Sequence, residues 1–133
     1  MTEIVVDARI LVYRVAVGVG SIVENPELDA RLSNATTLVT PSCELLRSYR
    51  ILREFGSRGF LTPSDVTRLA MLVCESGVEL RPLWPWDVPR IAALRCDPQD
   101  AWCIAIAESL DVPLVTGNRE LTTIGASCAV EFY

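Results

Sequence analysis

The sequence predicts an α/β domain built on a mainly parallel sheet, and three observations carry that reading. The runs "EIVV" and "VPLVT" are apolar without alternation, as strands covered on both faces are, and "ATTLVT" is a further strand. Longer stretches with helical spacing and helix-starting residues separate them, the order expected of βαβ units. No repeat, low-complexity linker or shift of composition divides the 133 residues, so one domain spanning 1–133 is expected.

The elements follow in order. "TEIVVDA" (Thr2 to Ala8) is a strand ending in an acid, where the carboxyl end of a parallel strand meets a ligand face. "RILVYRVAVG" reads as helix despite its valines. In "ENPELDARLSNA", Asn25 is an N-cap and Pro26 the first helical residue. "ATTLVT" is a strand, and "PSCELLRSYRILREFGSRG" a helix started by Pro41 and closed near Gly56 or Gly59. "LTPSDVTRLAMLVCESG" is a helix with Thr62 capping, Pro63 next, Asp65 in the first turn and Gly77 as the stop. "VELRPL" alternates apolar and charged residues, as a strand near a sheet edge does. A Pro-punctuated loop and short helix occupy "WPWDVPRIAALR". An apolar helix follows in "DPQDAWCIAIAESLD", with Asp97 and Asp100 at its start. "VPLVTG" is a strand, "NRELTTIG" a turn, and "CAVEFY" the last strand.

Composition excludes several chemistries. The chain has no histidine, which removes Ser-His-Asp and Cys-His catalysis and histidine-bound zinc. Any metal therefore sits on oxygen ligands, which points to magnesium or manganese. All twelve basic residues are arginines and seventeen acids oppose them, a net charge of −5. That balance argues against coating nucleic acid by general electrostatics and leaves room for a local basic groove. The five cysteines are scattered and never paired as C-x-x-C, which fits buried free thiols. No apolar run is long enough to span a bilayer and no leader resembling a signal peptide opens the chain, so a cytoplasmic protein without membrane contact is expected.

In such a fold the chemistry lies at the carboxyl ends of the strands. Asp7 leaves the first strand there, and Asp100 opens the helix before the strand that delivers Thr116 and Asn118. Taken singly, Asp7 reads equally well as a turn or capping residue, and Asp97 or Asp100 as a helix N-cap. Arg47, Arg50 and Arg53 form a three-residue stripe that suits a solvated face, with Glu54 paired to Arg50, or a track for phosphates. Trp84 and Trp86 fit either a covered core edge or a stacking platform for a base.

"EIVVDA", the Pro-led helix after the second strand, and "DAWCIAIAESLDVPLVTGNREL" together resemble a PIN domain, and in particular the VapC-type toxins of toxin-antitoxin pairs. The likeness covers nearly the whole chain. It is most specific at Asp100, Ala101, the Ala105-x-Ala107-Glu108 helix and Leu114-Val115-Thr116. It implies a three-layer α/β/α sandwich with a mainly parallel central sheet, and clustered acids that hold magnesium or manganese and cut RNA. It also implies an antitoxin partner and a homodimer, with the apolar faces of "LVYRVAVGV" and "AMLVC" available for either contact. By the same resemblance Asp7 and Asp100 are metal ligands, Asn118 and Glu44 supporting ligands, and Thr116 a residue that orients water.

Three positions depart from the family pattern, and each lowers the negative charge of the cleft. Arg9 stands where Ser, Thr or Asn is common. Arg47 stands where the helix glutamate is expected, counted from Pro41, with Glu44 one turn earlier on the same face. Asn118 takes the place of a fourth acid, and its amide oxygen brings no charge. Arg9, Arg47 and Arg50 either grip RNA phosphates or, for the first two, pair with the acids in place of metal. The alternative to a ribonuclease is then a degenerate PIN domain that binds RNA or protein. A phosphate-receiving signalling module ranks last, because it would want a lysine near its acids.

Overall fold

The computed structural model describes residues 3–19 and 22–133. Thr2, placed in the first strand from the sequence, lies outside the described residues. The chain folds as β1 (Glu3–Val6), α1 (Ala8–Ala16), α2 (Pro26–Ser33), β2 (Thr37–Pro41), α3 (Cys43–Ser57), α4 (Pro63–Cys74), β3 (Glu79–Arg81), α5 (Val88–Ala93), α6 (Pro98–Leu110), β4 (Leu114–Thr116) and β5 (Val130–Phe132). Short 3₁₀ turns precede α5 and β5.

The five strands form one sheet in the order β3-β2-β1-β4-β5, and every pair is parallel. The first three strands step outward in one direction through α1 to α4. The chain then returns over α5 and α6 to the other side of β1. Right-handed crossovers made in opposite directions put their helices on opposite faces, which gives three layers. Side-chain alternation follows: Ile4 and Val6 pack with Ile10, Leu11, Leu28 and Val73, while Val5 packs with Ala101, Cys103 and Ile104. A further core of Val12, Leu52, Leu61, Val66 and Leu69 holds α1, α3 and α4 together. The reversal of direction between β1 and β4 is a topological switch point, where their carboxyl ends diverge from their connections and leave a crevice.

Local chemistry sets the helix starts. The Asn25 side chain accepts from Leu28 N at 3.2 Å, and Pro26 follows it. Thr62 and Asp65 cap each other reciprocally, at 3.1 and 3.2 Å. Asp97 accepts from Gln99 N at 2.9 Å, which leaves Asp100 free of capping in the first turn of α6. One boundary differs from the sequence reading. Pro41 ends β2, in register with Arg81, and α3 begins at Cys43. A proline is tolerated at a strand end, and the next residue, Ser42, donates to Arg81 O at 2.9 Å. The cysteines are all free as expected, but Cys103 alone is buried and Cys74 is exposed. Among the described residues no helix is long and apolar enough to cross a membrane.

Helices α3 and α4 meet at Gly56, where a Cβ would come within 2.8 Å of Val66 Cγ2. Val66 is buried and branched, so it has little room to withdraw. Gly56→Ala is expected to destabilise the fold by about 1–2 kcal/mol, overpacking outweighing the better helix propensity. Equilibrium denaturation checks this, and in a Val66→Ala background the same change should become neutral or stabilising.

Candidate functional site

Asp7 follows β1 and caps α1, its Oδ1 accepting from Ile10 N at 3.1 Å. It is fully buried. Its neighbour across the sheet is the end of β4, because Val6 pairs with Val115. Thr116 therefore reaches it and donates its hydroxyl proton to Asp7 Oδ2. The same Thr116 oxygen accepts from Asn118 N at 2.9 Å. The Thr116 hydroxyl thus ties Asp7 to the turn after β4.

Glu44 arrives from the first turn of α3 and is also fully buried. Its Oε1 accepts from Ala8 N at 3.3 Å and from the Cys103 thiol at 3.3 Å. Its Oε2 is buried with no hydrogen-bond partner. Asp100 completes the set from α6, three residues before Cys103 and so on the same helix face. The buried Ser48, one turn beyond Glu44, donates to Glu44 O at 2.7 Å and closes the packing behind the acid. Ser48 and Cys103 escaped the sequence reading; their spacing of four from Glu44 and three from Asp100 was the available signal.

Two arginines enter the same space. Arg47 Nη1 lies 2.8 Å from Asp100 Oδ1 and 3.4 Å from Glu44 Oε1, with only 13 % of the side chain exposed. Burial by itself would weaken the guanidinium's hold on its proton; the hydrogen bond it donates to Asp100 and the charges of Glu44 and Asp100 reverse that and raise it above its ordinary value. Arg9 is looser, its Nη1 3.6 Å from Asp7 Oδ2 and 3.8 Å from Asp100 Oδ1. That nitrogen has no hydrogen-bond partner. The Arg9 stem lies on Gly117, where a Cβ would meet Arg9 Cβ at 2.8 Å. The glycine of "VTGN" is thus what lets Arg9 approach.

The five residues expected to form a catalytic set, Asp7, Glu44, Asp100, Thr116 and Asn118, do come together. Helix α3 brings in both Glu44 and Arg47, so the acid has not been lost to the arginine. Asn118 adds a donor where a ligand oxygen was expected: its Oδ1 accepts from Glu120 N at 3.1 Å and its Nδ2 donates to Asp100 Oδ2 at 3.3 Å. Arg50 is exposed on α3 outside the cluster. Glu54 pairs at 2.8 Å with Arg58, not with Arg50. Among the described residues no three acidic or cysteine side chains are grouped to hold a metal ion in this arrangement. The face of α1 considered for a partner is buried in the core, whereas Met71 and Leu72 of "AMLVC" are exposed.

Burial pushes the Glu44 carboxyl up to about 7 against an ordinary 4.5, with the Arg47 charge opposing. Burial likewise raises Asp7, against the pull of Thr116, Ile10 and Arg9. A carboxyl raised in the fold contributes stability that is fully present below its ordinary pKa and lost as pH rises through the folded value. Between about pH 4.5 and 7 Glu44 should therefore cost the fold on the order of 3 kcal/mol. Melting temperatures across that range check it: Glu44→Gln should show a flatter profile than the wild type.

No protein-family model and no curated protein sequence matches the chain. Its backbone does match solved structures over nearly its full length. VapBC2 from Rickettsia felis, bound to a DNA fragment from its promoter, is similar with a TM-score of 0.68 and 14 % identity, over 99 % of this chain and 99 % of that one. PAE2754 from Pyrobaculum aerophilum gives 0.71 and 21 %, over 98 % of this chain and 83 % of that one. VapBC-5 from Mycobacterium tuberculosis, a member of the VapBC family of toxin-antitoxin systems, gives 0.59 and 15 %, over 99 % and 98 %. With the parallel sheet, the helical layers and the acid cluster at the switch point, these likenesses identify the architecture: the chain has a VapC-like PIN fold.

Proposed function

We propose that the protein cuts RNA phosphodiesters at the Asp7–Glu44–Asp100 cluster and works as the toxin of a toxin-antitoxin pair. The observation that carries this reading is the convergence of three carboxylates from β1, α3 and α6 on one crevice, although burying them is costly. With Arg47 in place the acids are not grouped for a metal ion. The donors are nevertheless all oxygen, Glu44 Oε2 is unpaired, and the Arg47 guanidinium stands where a cation is wanted. With Arg47 displaced, the set would suit magnesium or manganese. Asp7, Glu44 and Asp100 would hold such an ion. Bound there, it supplies charge neutralisation for the scissile phosphate and a water that loses its proton near neutral pH.

The protein's own groups do the rest. Asp7 is fixed by Thr116 and Ile10, and Glu44 by Ala8 and Cys103. For an ion to enter, Arg47 would have to turn out of the crevice. Arg9, 38 % exposed and lightly held, pairs with a substrate phosphate. With Arg47 turned out, three acids less Arg9 leave a formal charge of −2, which matches one divalent ion rather than two. The solved neighbours that are toxin-antitoxin complexes support an antitoxin-type protein partner. An apolar groove of about 590 Å³ between α3 and α4, lined by Leu45, Leu46, Tyr49 and Met71, offers a seat for that partner or a second copy.

The Arg47–Asp100 bond of 2.8 Å favours a second reading, in which the guanidinium permanently replaces the metal and the domain binds RNA without cutting it. Two measurements separate them. Under the first reading, magnesium-dependent cleavage of RNA falls at least about 100-fold in Asp7→Asn and in Asp100→Asn; cleavage unchanged in both sinks it. Manganese titrated by calorimetry should bind the wild type and bind Arg47→Ala more tightly. A binding step seen only in Arg47→Ala establishes the second reading instead.

A further inference from the structure

The loop between β3 and α5 carries two tryptophans that do not serve the core. Trp84 and Trp86 stack on each other, with ring centroids 4.9 Å apart and planes 5° from parallel. Trp86 is 69 % exposed and Trp84 41 %, so the pair does not cover a core edge. Pro85 between them fixes the backbone that aligns the rings.

Their position gives them meaning. Every strand is parallel, so the chain leaving β3 emerges on the same edge of the sheet as Asp7 and Thr116. β3 lies two strand positions from β1, roughly 10 Å, the length of about three stacked nucleotides. The turn Pro85–Asp87 packs on α6, whose first turn carries Asp100. From Arg81 to Arg95 the stretch carries three arginines and one acid. Arg90 is paired with Glu108 and Arg81 with Glu79, while Arg95 is exposed. Arg81 ends β3 on this edge, and its Nε is buried without an acceptor.

We infer that Trp84 and Trp86 form a stacking platform for one unpaired base of a single-stranded RNA whose backbone continues to the acid cluster. The inference rests on RNA being the ligand of that cluster. An indole already stacked on a neighbour presents one flat open face and has little rotational freedom left to lose. Every base has a face to lay on it, so the platform contributes affinity with little dependence on sequence. Exposed Leu83 and Val88 rim the pair and would also suit a protein contact. What favours RNA is an open indole face on the same sheet edge as the proposed cleavage site, with Arg95 exposed in the same stretch.

The test is binding of a fluorescently labelled, single-stranded RNA of mixed sequence, followed by anisotropy with calcium in place of magnesium, so that a divalent ion offsets the acids while its looser coordination slows cutting. Trp86→Ala should weaken binding about tenfold, and Trp86→Phe should recover most of the loss. An oligonucleotide of abasic sugars should bind the wild type and Trp86→Ala alike. The ring is largely exposed, so Trp86→Ala should keep the wild-type melting temperature. Wild type that binds the RNA with Trp86→Ala binding equally well overturns the platform and leaves the RNA reading standing. Equal RNA affinity with a changed oligomeric state assigns the pair to a protein contact and also overturns it. Wild type that fails to bind the RNA overturns both the platform and the reading beneath it.

Discussion

Negative charge buried at the carboxyl edge of β1 and β4 has to be balanced inside the protein, and Arg47 does most of that balancing. Asp7, Glu44 and Asp100 are all buried, and the low dielectric that penalises one such group penalises three far more. A planar guanidinium answers two of them at once, at 2.8 and 3.4 Å. A buried ion network of this kind is a weak source of net stability, since desolvation offsets much of the attraction. What it fixes is geometry. With Arg47 in place, α3 cannot rotate or slide against α6 without exposing an unpaired charge.

The same network sets the terms on which the crevice can work. A site that holds a cation by charge alone does not distinguish a guanidinium from a metal ion, and the two compete for the same oxygens. Arg9 and Asn118 lean the same way as Arg47, one as a second cation near Asp7 and the other as a donor to Asp100. Under the proposed function, reactivity is therefore a question of which cation occupies the crevice, with three acids present and Asn118 in the place of a fourth.

Much of this was legible in the sequence. Strands covered on both faces announce themselves as unbroken apolar runs, and the caps at Asn25, Thr62 and Asp97 are local chemistry that a few residues encode. The meeting of Asp7, Asp100 and the Thr116–Asn118 turn followed from topology. The orientation of α3 did not. Its start was counted from Pro41, which belongs to β2, and a helix begun two residues later is rotated by about 200°. Whether Glu44 or Arg47 faced inward could not be decided at that resolution, and in the structure both do. The donor role of Asn118 was likewise hidden, because it depends on which end of the amide meets Glu120 N.

The pairing of β1 with β4 has a consequence for how the site comes into being. β1 is the central strand, yet one of its two neighbours is built from residues 114–116, and Thr116 meets Asp7 across 109 positions of chain. Contacts of such long range form late, after the loop-closure entropy has been overcome. On a ribosome the crevice between β1 and β4 stays open until nearly all of the described chain has emerged. Under the proposed function, an RNA-cutting protein is, by this topology, without an assembled centre for almost the whole of its own synthesis.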